Sequence, residues 1–201
     1  MKVGSGSSGW RLGNLALRRR ALVAVLAAAT AAAAIPLAAL AATGTATISA
    51  GSFGFVSTPP NVSFSATLNG LDQTLTSNQA LDVGDATGSG TGWNITATST
   101  TFTTGGGAPK LLSTSATSIT SAPTASCDAS ATCTTATNSI TYPYVLPAAA
   151  TAPTATKVFN AAANTGMGNQ TLTPAWKLAI PASTYAGTYT STWTISLVSG
   201  P

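Results

Sequence analysis

Four aspartates, Asp72, Asp82, Asp85 and Asp128, are the only side-chain carboxylates in the sequence, and histidine is absent. The commonest general base and metal ligand is therefore missing. Two-carboxylate hydrolysis of a glycoside needs acids that face each other across a cleft. Asp82 and Asp85 stand at opposite parity in an extended strand and face apart, so Asp72 or Asp128 would have to supply a partner. Calcium at Asp82 and Asp85 would lack the oxygen density of a dedicated loop. The residue inventory thus offers no catalytic group, no metal site and no cofactor. Cys127 and Cys133, five residues apart in between, are placed to form a local disulfide in an exported chain.

The aromatic residues are more informative. Val83-Gly84-Asp85-Ala86-Thr87-Gly88-Ser89-Gly90-Thr91-Gly92-Trp93-Asn94-Ile95 joins a glycine-rich turn to an alternating run. Trp93, Ile95 and Ala97 share one face and Asn94, Thr96 and Thr98 the other, as in a half-buried strand. Gly88, Gly90 and Gly92 can supply the positive φ angles of a turn. Trp93, Trp176 and Trp193 each stand in alternating runs, with Tyr185 and Tyr189 close to the last. An alternating Trp is by default a core anchor; an exposed row beside Thr, Ser and Asn would instead stack sugars. The apolar company of Trp93 and Trp193 favours the core. The turn Asp85, Gly88, Gly90, Gly92 is then the candidate binding surface, through its backbone amides.

These residues need strands to hold them. Val62 to Leu68, Leu81 to Val83, Leu172 to Ile180 and Tyr189 to Leu197 all alternate, and the intervening positions are often Thr or Ser. Pro59-Pro60, Asn69-Gly70, Gly105-Gly106-Gly107 and Asn164-Thr165-Gly166 punctuate them. The pattern predicts an all-β domain, a Greek-key sandwich or barrel-like fold. Pro174 inside its run predicts an edge strand or a bulge. Residues 113–156 read as a long Ser/Thr/Ala-rich excursion with one or two strands, Ser139 to Val145 the best.

Before residue 42 the chain differs in kind. Arg18-Arg19-Arg20 precedes an apolar run from Ala21 to Leu40, and Ala39-Leu40-Ala41 is a small-x-small processing site. This is the form of a cleaved signal peptide over residues 1–41, followed by one domain over 42–201. About 20 apolar residues can also span a bilayer, but alanine richness, Pro36 and the processing site favour cleavage, leaving no stable membrane span. Arg19-Arg20 also fits a loose twin-arginine pattern, so the export route stays open. Residues 42–201 hold three lysines against four aspartates, a net charge of −1. The basic balance leaves with the leader, and nucleic acid is not an expected partner.

Two blocks carry a family resemblance. Val83-x-Asp85-x-x-Gly88-x-Gly90-x-Gly92-Trp93-x-Ile95 resembles the first motif of the WxL surface domains, and Tyr185 to Pro201 resembles the second. In the second block Tyr189, Thr194, Leu197 and Pro201 match. Ile95 stands for the Leu of the first motif. Trp193 takes the aliphatic position of the second motif and Ile195 its Trp position, a swap within one face of a strand. The resemblance implies a secreted, mostly β domain of Gram-positive-type cell surfaces. It implies non-covalent association with peptidoglycan or another wall glycan, and possible action with other surface proteins. Leu146-Pro147-Ala148-Ala149 is not a sorting signal, so attachment by contact is expected. The competing expectations are a subunit of a surface layer or filament, or an adhesin, and, less compatible with the residues, a secreted glycan hydrolase.

Overall fold

The alternation between Thr-rich and apolar positions is realised as strands throughout the computed structural model, which describes residues 42–201. The signal peptide expected over residues 1–41 lies outside the described residues. In chain order the strands are β1 (Phe53–Phe55), β2 (Gln73–Asn78), β3 (Leu81–Asp85), β4 (Trp93–Thr100), β5 (Thr117–Ile119) and β6 (Thr124–Cys127). They continue with β7 (Tyr144–Val145), β8 (Ala148–Ala149), β9 (Thr156–Ala161), β10 (Gly168–Thr173), β11 (Ala175–Ile180) and β12 (Trp193–Ser199). The domain is all-β, with no helix among the described residues.

Three sheets form: β1-β3-β10-β6, β2-β11-β5-β7, and β12-β4-β8 with β9 also on β4. Pairing is antiparallel except between β4 and β8. All three sheets feed one apolar core. Leu81, Val83 and Leu172 come from the first, Ile119 and Trp176 from the second, and Trp93, Ile95, Ala97, Val158, Phe159 and Ala161 from the third. A second, smaller cluster holds Leu112, Ala116, Leu178 and Ile180, with Phe64, Leu75, Phe102 and Tyr189 packed on it.

Several expectations are corrected here. The run 172–180 is two strands, not an edge strand with a bulge. Pro174 has no N–H to continue a ladder, and the chain changes sheet at it. β10 lies between β3 and β6, while β11 lies between β2 and β5, so both are central. β4 is buried on both faces, not one. Asn94 donates from Nδ2 to Gly200 O at 2.7 Å, and Thr98 donates from Oγ1 to Pro153 O at 2.8 Å, so the polar face is capped by chain. Residues 113–156 contribute β5 to β8, all paired into the sheets; of Ser139 to Val145 only Tyr144 and Val145 are strand. The C-terminal strand starts at Trp193, after an isolated bridge from Thr190 to Thr103. Val62 to Leu68 joins no sheet, because Val62 and Phe64 turn onto the apolar clusters without a neighbouring ladder.

Candidate functional site

The two motif blocks meet as neighbouring strands. β12 runs antiparallel to β4 over its whole length, setting Trp193 opposite Ser99, Ile195 opposite Ala97 and Leu197 opposite Ile95. A hundred residues of chain thus separate two strands that zip together side by side.

Trp93 is fully buried. Its indole Nε1 donates to Gly166 O at 2.9 Å, which satisfies the one polar atom that burial would otherwise strand. Its ring packs on Phe159 with centroids 5.8 Å apart. Gly166, at positive φ, lets its backbone close on the ring, and Gly92, also at positive φ, lets the chain close on the Ala161–Ala162 backbone. A Cβ on Gly92 would run into Ala161 O, and one on Gly166 would lie 2.6 Å from the Ala161 Cβ. Ile95 is buried beside it. Trp193, Ile195 and Leu197 are half-buried against the same core, and Thr194 faces solvent. Trp193 meets Trp176 edge to face at 4.8 Å and Phe102 at 6.4 Å. Tyr189 is half-buried on the second cluster and donates from its hydroxyl to Tyr185 O at 3.0 Å.

The turn between β3 and β4 is ordered from its base. Asp85, at the end of β3, is buried and accepts from Thr87 N at 3.0 Å and Thr87 Oγ1 at 2.6 Å. Beyond it the hydroxyls of Thr87, Ser89 and Thr91 contact one another in sequence at 2.9 and 3.1 Å. Gly88 and Gly90 stand between them and Gly92 follows, at φ of 66°, 65° and 73°. Gly88, Ser89 and Thr91 are exposed, so the turn presents a short row of hydroxyls and main chain to solvent.

Cys127 and Cys133 form a disulfide that closes the end of β6. The next residue, Thr134, supports the loop that covers Trp93: Gly166 N donates to Thr134 O at 2.7 Å, and Thr134 N donates to Met167 O at 3.0 Å.

The aspartates are scattered in role. Asp72 accepts from Ala182 N at 2.8 Å and Asp128 from Thr171 Oγ1 at 2.8 Å. Asp82 neighbours Asp128, not Asp85. Its carboxyl is held above the usual carboxylate range by burial first and by the Asp128 charge second, with the Ser57 hydroxyl opposing. Among the described residues there is no group of three or more potential metal ligands.

Sequence reasoning passed over two buried glutamines. Gln79 accepts from Trp176 Nε1 at 2.8 Å and donates to Pro60 O at 2.7 Å. Gln170, fully buried, accepts from Ala136 N at 2.9 Å. The signal for Gln170 was its parity, since it shares an inward face with Leu172.

The site is thus an all-β domain's pair of tryptophan-bearing blocks, zipped as neighbouring strands. The chain belongs to the family of WxL domain surface cell wall-binding proteins, whose model matches residues 42–201. It is accordingly a cell-wall-binding protein of the cell surface. No curated protein and no solved structure matches the chain.

Proposed function

We propose that the chain is a secreted, non-catalytic domain that holds peptidoglycan of a Gram-positive-type wall without a covalent bond, its mature form beginning near Ala42. Membership of a wall-binding family across residues 42–201 carries this reading. The turn Asp85 to Gly92 is its contact surface. Ser89 and Thr91 offer exposed hydroxyls, and Asp85 acts from below as a positioning residue. The near-neutral balance of three lysines and four aspartates favours hydrogen bonding to the wall over charge attraction. Asp72, Asp85 and Asp128 are each engaged by the chain's own donors, which supports binding over hydrolysis.

Sedimentation with purified walls tests the reading. The protein should pellet with walls in high salt as well as low, and release no reducing sugar. A Ser89→Ala/Thr91→Ala double variant should keep its melting temperature and stay in the supernatant. Undiminished pelleting of that variant would remove the turn as the contact surface, and failure of the parent protein to pellet would remove the function.

A further inference from the structure

A groove of about 720 Å3 opens beside the second apolar cluster. Its floor is Leu75, Leu112, Leu178, Ile180 and Phe102, and its walls are residues 62–68 and 184–189. No charged residue lines it, and the Lys110 ammonium at its rim is engaged over the Tyr185 ring, 4.3 Å from the centroid. At its rim Leu68 and Tyr185 are 38% and 63% exposed.

The first wall has the form of a strand without a partner. Val62 and Phe64 are half-buried and Ser63 and Ser65 exposed, a period of two. Yet among the described residues no main-chain N–H or C=O from Asn61 to Gly70 bonds another main-chain group. Side chains hold the ends instead. Gln79 Nε2 donates to Pro60 O at 2.7 Å, and Gln73 Nε2 donates to Thr67 O at 2.9 Å. Between those two clamps lies a stretch whose hydrogen-bonding groups are free to template an added strand.

We propose that the groove docks an extended, uncharged segment of a partner protein, which pairs its main chain with residues 61–66 and seats alternate apolar side chains on the Leu75, Leu178 and Ile180 floor. The free main-chain groups repeat at peptide spacing, so they match another peptide. The aliphatic floor gives apolar side chains a place to bury, but leaves the hydroxyls of a sugar unpaired. A charged segment would be desolvated there with no counter-charge in the lining. This site is separate from the turn proposed to meet the wall and does not rest on that reading.

Random twelve-residue peptides displayed on phage, panned against the folded protein, test the proposal. The comparison protein is Ala186→Trp, an exposed position whose new indole would fill the groove. Enriched peptides should be uncharged, carry apolar residues at every second position, and bind the Ala186→Trp protein at least tenfold more weakly. Synthetic copies methylated on alternate main-chain nitrogens should lose binding in one register and keep it in the other. Ser65→Pro and Ala66→Pro delete N–H groups on opposite sides of an extended chain, so one should weaken binding tenfold and the other should not, both with unchanged melting temperature. The Ala186→Trp protein should still pellet with walls as the parent does. Peptides indifferent to the filled groove would overturn the proposal. So would peptide-free wall glycan strands competing for the groove, which would make it a glycan site, or a dimer lost on Ala186→Trp, which would make the occupant a second copy.

Discussion

Two aromatic assemblies in this domain differ in how they end. Trp93 and Phe159 form a closed one: the indole is sealed by the 166–168 loop, and its polar atom is satisfied inside. Trp176, Trp193, Phe102 and Phe64 form an open one, each ring edge-on to the next at 4.8, 6.4 and 6.4 Å. That ladder runs from a buried tryptophan to a phenylalanine in the groove wall. Among the described residues the tryptophan of the first motif block is thus the most enclosed aromatic, while Tyr185 and Trp193 of the second block stand toward solvent. A spaced motif can mark what holds a fold shut as readily as what it presents.

The largest effect that would break this contrast is at Trp93. Trp93→Ala should cost roughly 3–5 kcal/mol, because the collapsed site cannot refill so large a void. Phe64→Ala, half-buried at the open end, should cost markedly less and leave the cooperative transition intact. Urea unfolding of the two variants side by side measures this. A stable Trp93→Ala protein would mean that the closed assembly is not an anchor.

Next come the glycines. Gly92→Ala combines positive φ with a clash on Ala161 O, so it should cost about 2–3 kcal/mol. Gly88→Ala has similar φ but open space around it, and should cost about 1 kcal/mol. Equal losses would show that dihedral strain alone matters, and that the tight approach of the two backbones does not.

The disulfide sharpens the same division. Its loop is short, so removing it through Cys127→Ser/Cys133→Ser should cost about 2 kcal/mol or less. Because Thr134 supports the 166–168 loop, amide exchange should accelerate at residues 166–168 and stay unchanged in β11, the hydrogen-bonded strand under the groove. Acceleration at both would mean that the closed and open sides are one cooperative unit.

What the sequence made legible follows from what alternation encodes. Period two says which side chains turn inward, and it located β4, β11 and β12 to within a few residues but caught only the end of β10. It does not say whether the main chain finds a neighbour. Val62 to Leu68 has the same pattern as β12, yet only β12 has a ladder beside it. Nor does it mark a change of sheet: the alternation runs unbroken through Pro174, while the chain passes from one sheet to another. β5 to β8 were hardest to see because they are only two to four residues long, too short to show a period, and are placed by their neighbours. The disulfide was legible because two cysteines allow one intramolecular pairing. The Asp82 and Asp128 pairing was not, since it depends on β6 and β3 both flanking β10.

That carboxylate pair carries the smallest expected effect, and one with a definite sign. Asp82 lies opposite Thr171 across the sheet, and Thr171 Oγ1 donates to Asp128. Asp82 Oδ1 is shielded from solvent with no hydrogen-bond partner among the described residues. Burial, then the Asp128 charge, raise its pKa above the ordinary carboxylate value of 3.8. Within that window the folded chain retains a proton that the unfolded chain has released. Stability from this group is therefore complete below 3.8 and declines as pH rises through the raised value. Asp82→Asn is neutral at every pH and can donate from its amide to Asp128. It should raise the melting temperature slightly at pH 7 and leave it unchanged at pH 3. Asp85→Ala, three residues along the same strand, should act with the opposite sign at pH 7, because it strands the Thr87 donors that the buried carboxylate now accepts. Thermal unfolding at the two pH values separates the cases. An Asp82→Asn protein less stable than the parent at pH 7 would show that the ionised carboxylate is needed where it stands, as Asp85 is, and the contrast between the two aspartates would disappear.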